Sequence, residues 1–171
     1  DADVAVLKKQ HRFHPVILDE LLHPSPRIRV ERFDHYLFIV YHVPEYDPEL
    51  KTSRRTEIDI LITKDKVITA HYDNLPELNN LFDLLSRDEV ARKKMLGQDS
   101  MMLVYQMFER SIGFSLRQLR HIEERVSFVA QEIFNNKEEE LLKKISYIKR
   151  DILDYRLITH PQEKFFQNLH D

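Results

Sequence analysis

The chain has 171 residues, of which 42% are hydrophobic and 32% charged, and its formal net charge is −3. This composition is typical of one folded domain, or one domain with a helical appendage, and its charge balance gives no nucleic-acid footprint. The absence of cysteine and the presence of only two glycines, Gly97 and Gly113, exclude disulfides, thiolate metal sites and the glycine-rich motifs that bind dinucleotides or phosphates.

The N-terminal part of the chain predicts two short helices and then an antiparallel meander of strands. The helices fall within residues 3–22, with Asp3 as the cap of the first and Pro15 at the start of the second. β-Branched and aromatic residues predict strands at residues 28–33, 36–43, 58–62 and 67–70. The charged, proline-punctuated segment 44–55 is predicted to be a loop.

From Asn74 onward the pattern is helical. Asn74 is predicted to cap a helix that has Pro76 in its first turn, and a further short helix is expected within residues 86–98. Asp99 is predicted to cap a much longer helix. The chain therefore changes from a mixed to a wholly helical pattern.

Two long helices are predicted by apolar residues that recur in steps of three and four, with a break at Asn135-Asn136. The first stripe is Met101, Tyr105, Phe108, Ile112, Leu119, Ile122, Val126, Val129 and Ile133. The second is Leu141, Ile145, Ile148, Ile152, Tyr155, Thr159, Gln162, Phe166 and Leu169. We expect helices of about 45–50 Å that pack as an antiparallel hairpin and overhang the sheet, with a kink at Pro161 in the second.

These elements predict an α+β fold, with a small antiparallel (mixed) sheet flanked by helices in an α/β/α sandwich and followed by the long antiparallel helical hairpin. We assign residues 1–98 to the α/β domain and residues 99–171 to the hairpin. The longest apolar run, Tyr36 to Tyr41, is far shorter than the ~20 residues of a membrane-spanning helix. Because the sequence opens on Asp1 and stops within a helical pattern, we expect it to be part of a longer protein.

Acidic groups are the candidate cation sites of this sequence. Asp19 and Glu20 are adjacent carboxylates at the end of a short predicted helix, and hard divalent cations prefer such oxygen ligands. From spacing alone, a solvated polar face explains the pair better. Glu45, Asp47 and Glu49 alternate within one segment but lack the glycine and the closing glutamate of a calcium loop.

The remaining charged residues are best explained structurally. The nine histidines show no metal-binding spacing. Basic residues around the predicted sheet are expected to form ion pairs with Glu31, Asp34 and Glu57; they are Arg27, Arg29, Arg32, Arg54 and Arg55. No nucleophile, base and acid can be assembled into a catalytic set, so we do not expect an enzyme.

Three segments, in their order along the chain, carry a family resemblance. They are His14 to Leu22, Pro26 to Val40 and Glu57 to Thr69. Together they resemble the His-Pro helix, the Arg-Pro-Lys-x-Glu-x-Phe hairpin and the Lys-Asp strand turn of the soluble domain of the CorA family of magnesium and cobalt transporters. Ile28 and Arg29 replace the usual Pro and Lys of that hairpin, and Asp19-Glu20 invert the commoner Glu-Asp order.

The resemblance implies the cytoplasmic regulatory domain of a homopentameric divalent cation channel. Two membrane spans would lie beyond the C-terminus, so the domain would sit at the cytoplasmic face of the cell membrane. Regulatory Mg²⁺, with Co²⁺ or other divalent cations as further candidates, would bind between neighbouring subunits, with Asp19 and Glu20 among its ligands. A second family cation position falls near Phe114, where no acid matches. No organic cofactor and no nucleic-acid partner are implied.

Two alternatives stay open. The zinc-transporting branch of the same superfamily shares the fold and the stalk, and this part of the sequence does not separate the two branches. From another class, the chain could be a soluble oligomerisation or adaptor module whose hairpin binds a partner helix through its overhanging apolar stripe.

Overall fold

A computed structural model of the chain describes residues 2–97, 99–133 and 138–170. The helices are α1 (Ala2–Gln10), α2 (Pro15–Glu20), α3 (Pro76–Arg87), α4 (Glu89–Leu96), α5 (Ser100–Glu132) and α6 (Glu138–His170). The strands are β1 (Arg29–Arg32), β2 (Leu37–Asp47), β3 (Thr52–Ile62) and β4 (Val67–His71). All four strands pair antiparallel in the order β1-β2-β3-β4, which confirms the predicted meander.

Helices cover both faces of this sheet. On one face Ile17 and Leu18 of α2 pack against Phe38 of β2 in a core that α1 extends. On the other face Tyr41 of β2 packs against side chains of α5 and α6, among them Phe108. The α/β/α sandwich and the α+β class are therefore confirmed, and β2 and β3 are buried from both sides.

The predicted loop 44–55 is wrong, because β2 and β3 extend through most of it and leave only a tight turn between them. Pro44 is tolerated inside β2 for a geometric reason. The carbonyl of His42 accepts a hydrogen bond from Gln162 of α6 at 2.9 Å, so this side of β2 faces away from β3. Backbone groups two residues apart point to the same side, and the pairing with β1 ends at Val40. The missing N–H of Pro44 therefore costs no ladder bond.

The long hairpin has the predicted antiparallel arrangement. Each helix contains 33 residues and is about 50 Å long. Asp99 caps α5 as predicted, accepting from the backbone N–H of Met102 at 3.0 Å. Lys144 of α6 pairs with Glu132 near the end of α5, whereas Tyr155 contacts the middle of α5. Residue numbers thus rise along one helix as they fall along the other. The structure includes Pro161 within α6, and the kink expected there stays a prediction.

The buried stripe of α5 coincides with the predicted one in part, and that of α6 lies one residue away from it. Phe108, Ile122 and Val129 are buried as predicted, whereas the predicted Tyr105 is 58% exposed. The buried residues of α5 are Val104, Met107, Phe108, Ser111, Ser115, Ile122 and Val129. Those of α6 are Asp151, Ile158 and Phe165, each next to a predicted position. Polar residues occupy part of both stripes, which is why apolar periodicity misplaced them.

Two predicted helix caps are also wrong. Asn74 does not cap α3; its side chain accepts from the amide of Asn79 at 2.6 Å, and the cap position is Leu75, without a side-chain bond. Pro76 at the first position lacks an N–H, so fewer donors need a cap there. Asp3 lies inside the first turn of α1 rather than before it. The short helix expected within 86–98 is confirmed as α4.

Candidate cation site at the end of helix α2

The structure places the predicted cation ligands at the C-terminal end of α2. The ring of His14 caps this short helix by accepting a backbone N–H, and Pro15 sets its first turn. The next turn buries Ile17 and Leu18 against the sheet. This leaves Asp19 exposed and Glu20 half-buried at the rim of the sandwich. The two carboxylates are therefore adjacent, but they lie in different environments.

Glu20 already has a cationic partner. The guanidinium of Arg29, from β1, pairs with the carboxylate of Glu20. The same arginine donates to Glu31 at 2.5 Å and to the hydroxyl of Ser25 at 3.1 Å. The expected Arg29–Glu31 ion pair is thus confirmed, and a divalent cation at Glu20 would compete with an arginine that is already in place.

Asp19 and Glu20 do not form a complete metal site by themselves. Within residues 2–97, 99–133 and 138–170, no three histidines or acids are arranged to hold a metal ion. The pair supplies carboxylate oxygens of the kind that Mg²⁺ takes, but Mg²⁺ requires about six ligands. Further ligands would have to come from water or from another subunit.

Two buried acids lie on the sheet face that α2 covers. Alternation along β3 puts Glu57 and Asp59 on the same face as Leu61, which packs in the α2 core. Both side chains are buried, with 4% and 2% of their surface exposed. Buried carboxylates require compensation by hydrogen bonds, by cations or by a proton. Glu57 and Asp59 obtain it in different ways.

Glu57 is held by hydrogen bonds. Both of its carboxylate oxygens accept from the backbone N–H of Ser25, at 2.9 and 2.8 Å, and the ring of His42 lies 3.1 Å away. Burial lowers the pKa of His42, and the nearby Arg55 adds to this effect, while Glu57 opposes it. The ion pair expected between Glu57 and an arginine is therefore wrong, since Arg55 donates to the carbonyl of Pro26 instead.

Asp59 has a buried oxygen, Oδ1, without a hydrogen-bond partner. Burial, and then the negative charge of Glu57, raise the pKa of Asp59 to about 7, although Arg29 acts in the opposite direction. Burial, and then Asp59 and Glu57, raise the pKa of Tyr72 to about 12. The hydroxyl of Tyr72 donates to the backbone carbonyl of Glu20 at 3.3 Å. Two buried acids, one with a raised pKa, thus lie on the face of the sheet that α2 covers.

The alternating Glu45, Asp47 and Glu49 have structural partners. Glu45 accepts from Arg54 at 2.6 Å across the β2–β3 ladder. Asp47 accepts from two backbone N–H groups of the following turn, both at 2.9 Å. Phe114, at the position where the resemblance leads one to look for an acid, packs against the aromatic core.

Sequence reasoning missed the roles of Glu57, Asp59 and His42. The available signal was two carboxylates inside a run of isoleucines, next to a strand that is apolar on both faces. A central strand of a three-layer sandwich has no solvated face, so these acids had to be buried. Which helix covers them depends on the tertiary arrangement and is not visible in the local pattern.

A second polar cluster fixes the hairpin to the sheet. The carboxylate of Asp151, on α6, is fully buried and accepts from the N–H and the hydroxyl of Ser53 at 2.6 and 2.7 Å. Its other oxygen pairs with Arg125 of α5, whose guanidinium lies 4.4 Å from the ring centre of Tyr46. One carboxylate therefore joins α5, α6 and β3.

None of the helices in the described part of the chain is both long enough and apolar enough to cross a membrane.

Comparison with known proteins gives a consistent result. The family model described as CorA-like Mg2+ transporter protein matches residues 1–171. The chain is 22% identical over 158 residues to the cobalt/magnesium transport protein CorA of Thermotoga maritima, an alignment that covers 92% of the chain and 44% of that protein. The chain therefore spans less than half the length of this relative.

Solved structures share the fold. The soluble domain of CorA from Methanocaldococcus jannaschii superposes with a TM-score of 0.79 at 18% identity, covering 96% of the chain and 64% of that structure. The cytoplasmic domain of ZntB from Vibrio parahaemolyticus gives a TM-score of 0.63, also at 18% identity, covering 96% and 63%. At these identities the likeness establishes the architecture, and the site has to be argued from its own residues.

Proposed function

The chain belongs to the CorA-like Mg2+ transporter protein family, and from that membership we propose that it is the cytoplasmic regulatory domain of a divalent cation transporter that carries Mg²⁺ or Co²⁺. The observation that supports a regulatory role is the position of Asp19 and Glu20, side by side at the rim of the sandwich and outside its core. The role we propose is binding and gating rather than catalysis.

The whole protein, in this proposal, is a homopentamer in the cell membrane, with this domain on its cytoplasmic face. The Thermotoga maritima relative is more than twice as long as the aligned region, which leaves room for membrane-spanning segments in a protein of that length. A ring of identical subunits places the same acidic rim at every interface, facing a different surface of the neighbouring subunit.

The gating step follows from electrostatics. Acidic groups that face one another across an interface repel, and a divalent cation between them removes the repulsion and favours the closed arrangement. Asp19 and Glu20 would supply oxygen ligands from one subunit, and the neighbour would supply the rest. When cytoplasmic Mg²⁺ falls, the sites empty and the repulsion loosens the ring.

The test is a double substitution in the full-length protein, Asp19→Ala with Glu20→Ala. We expect a higher Mg²⁺ concentration to be needed for half-maximal closure, measured as Mg²⁺-dependent block of ion flux in vesicles. The matched control is Glu123→Ala with Glu124→Ala, which removes an adjacent, exposed acidic pair from α5. A double mutant with the wild-type Mg²⁺ dependence would remove Asp19 and Glu20 from the mechanism.

A zinc transporter is the second candidate, because the ZntB domain has the same architecture. The same vesicles decide between the two, since flux of Zn²⁺ without flux of Mg²⁺ or Co²⁺ would assign the protein to the zinc branch. Absence of flux for all three cations would favour the adaptor alternative.

A further inference from the structure

We propose that the side chain of Arg29 is a switch that changes its ion-pair partner with pH. It pairs with Glu20 while Asp59 is protonated and with Asp59 when that carboxyl is ionised. The switch itself needs no metal. Its consequence for cation binding rests on the proposed function, because it uses Glu20 as a ligand.

The sheet register brings Arg29 and Asp59 into one row. Arg29 of β1 lies opposite Val40 of β2, and Val40 lies opposite Asp59 of β3, so all three side chains point to the face that α2 covers. Two strand spacings separate Arg29 from Asp59, or about 10 Å between their Cα atoms. An extended arginine side chain spans this gap across the small Val40.

The guanidinium of Arg29 already lies over the covered face. Its central carbon is 5.5 Å from the ring centre of Phe38, a core residue on that face. Its present acceptors are Glu20, Glu31 and the hydroxyl of Ser25. The move to Asp59 is thus a rotation of the Arg29 side chain over the face that it already covers.

Once it is ionised, the carboxylate of Asp59 requires a cationic partner, which Arg29 can supply. Its Oδ1 is buried without a hydrogen bond, and an uncompensated charge in such a place is strongly unfavourable. Charged or titratable groups reach it from every surrounding element: Glu57 of β3, Glu20 of α2, Tyr72 after β4, Arg29 of β1, and His42 of β2 through Glu57. Of these groups, Arg29 alone carries a permanent positive charge.

The consequence is a cation site that depends on pH. At low pH the neutral Asp59 leaves Arg29 on Glu20, where it competes with a divalent cation. As the pH rises through neutrality, Asp59 loses its proton to water and draws Arg29 inward, and the carboxylate of Glu20 becomes free to bind Mg²⁺. We expect Mg²⁺ to bind about fivefold more tightly at pH 8 than at pH 6, the amount that releasing one partly exposed ion pair is worth.

The direct test follows side chains by NMR in the 171-residue chain. Carboxyl ¹³C and arginine Nε–H spectra are recorded from pH 5 to pH 9, with the Arg29 signal assigned through Arg29→Lys. We expect the Arg29 signal to shift with the same midpoint as the Asp59 carboxyl, near neutral pH, and to stay constant in Asp59→Asn. The control Asp83→Asn, which removes an exposed acid of α3, should leave the shift intact.

A second variant keeps the test decisive if Asp59→Asn does not fold. Arg29→Gln removes the positive charge that stabilises the ionised carboxylate of Asp59, so the titration midpoint of Asp59 should move upward. An Arg29 signal that is constant across the pH range, or that moves equally in Asp59→Asn, overturns the switch.

Addition of Mg²⁺ to the same samples separates the switch from the proposed function. If Arg29 moves with pH but Mg²⁺ leaves the amide signals of Asp19 and Glu20 unchanged at pH 6 and pH 8, the switch stands and these residues bind no Mg²⁺ in this chain. If Mg²⁺ perturbs those amides equally at both pH values while Arg29 is static, the cation site stands and the switch is wrong.

Discussion

Asp59 lies in an environment that differs strongly from that of an ordinary carboxylate. It lies in the middle of a central strand, is 2% exposed, and has an oxygen without a hydrogen bond. Its pKa of about 7 lies above the usual value of 3.8, so the folded chain holds a proton there that the unfolded chain releases. Stability from this group is therefore fully present below about pH 4 and is lost as the pH rises to about 7.

The first prediction concerns Asp59→Asn, which keeps the shape and removes the charge. The wild type should lose up to about 4 kcal/mol between pH 4 and pH 7 through Asp59, and the variant should not. His42 acts in the opposite direction, because its lowered pKa makes the fold more stable as the pH rises toward the usual value of 6.5, above which this contribution is fully present. Urea unfolding of wild type and variant at pH 4 and pH 7 isolates the contribution of Asp59 as the difference between their pH profiles, because His42 contributes equally to both. Identical pH profiles for wild type and variant would contradict a buried, proton-bound Asp59.

The second prediction concerns Asp151, the carboxylate that joins α5, α6 and β3. Asp151→Ala leaves the N–H of Ser53 and the guanidinium of Arg125 without their partner inside the protein. We expect a loss of about 3–5 kcal/mol, the cost of breaking a buried pair, in urea unfolding. Asp154→Ala is the control, because its partly exposed bond to Thr52 should be worth only about 1 kcal/mol. Equal losses of unfolding free energy in the two variants would show that the buried contacts of Asp151 stabilise the protein no more than an ordinary surface hydrogen bond does.

At the scale of elements, apolar periodicity predicts the presence of a helix more reliably than it predicts which face of the helix is buried. The stripe of α5 passes through Ser111 and Ser115, whose hydroxyls donate to carbonyls one turn back, those of Met107 and Ser111, at 2.8 and 2.9 Å. A serine that bonds to its own helix is small and has no unmet donor, so it suits a close helix contact. Tyr155 approaches there and donates to the carbonyl of Ser115 at 2.9 Å.

The third prediction uses this contact. Ser115→Leu restores the apolar residue that a heptad pattern expects, but the site is already filled, so overpacking should cost about 1–3 kcal/mol. Ser115→Ala should be nearly neutral, since the lost bond lies within one helix. Leu116→Ser, at an exposed position one residue further on, is the control. If Ser115→Leu is tolerated as well as Leu116→Ser, the buried face of α5 is not the one described.

Some features of the strands likewise follow from the local sequence, whereas others depend on tertiary contacts. Strand order and antiparallel pairing follow from short apolar runs joined by turns, so the meander was predictable. The extension of β2 through Pro44 was not, because it depends on where β1 stops pairing and on a glutamine of α6. The burial of Glu57 and Asp59 likewise depends on α2 covering that face. For the candidate site, the family resemblance led to Asp19 and Glu20, whose role stays a prediction, but the sequence indicated neither the arginine that pairs with Glu20 nor the buried acids beneath.

At the scale of the whole molecule, the sandwich and the hairpin are tied together. α6 packs along the sheet through Phe165, and Asp151 fixes it again near Ser53. Beyond this tie, apolar side chains of both helices are exposed, for example Val126 and Ile145, as expected for a hairpin that overhangs the sheet. A change at the rim near α2 therefore acts on a sheet to which both long helices are tied, and the proposed transmission of cation binding over a distance requires such a connection.

The last prediction concerns Arg29 in the full-length protein. The guanidinium of Arg29 pairs with the carboxylate of Glu20, so Arg29→Gln should free this carboxylate. The Mg²⁺ concentration needed for closure should then fall by about fivefold at pH 6. At pH 8 the effect should be smaller, since Arg29 has then moved to Asp59 in the wild type as well. Mg²⁺-dependent flux block in vesicles at both pH values measures it.

The control for this prediction is Arg32→Gln on the same strand. The exposed guanidinium of Arg32 donates to the backbone carbonyl of Asn168 and lies outside the site. This substitution removes an equal charge but should leave the Mg²⁺ dependence unchanged at either pH. Equal shifts in Arg29→Gln and Arg32→Gln would mean that overall surface charge, not the pairing with Glu20, sets the affinity. A shift in Arg29→Gln that is as large at pH 8 as at pH 6 would mean that Arg29 competes with the cation but does not change its partner.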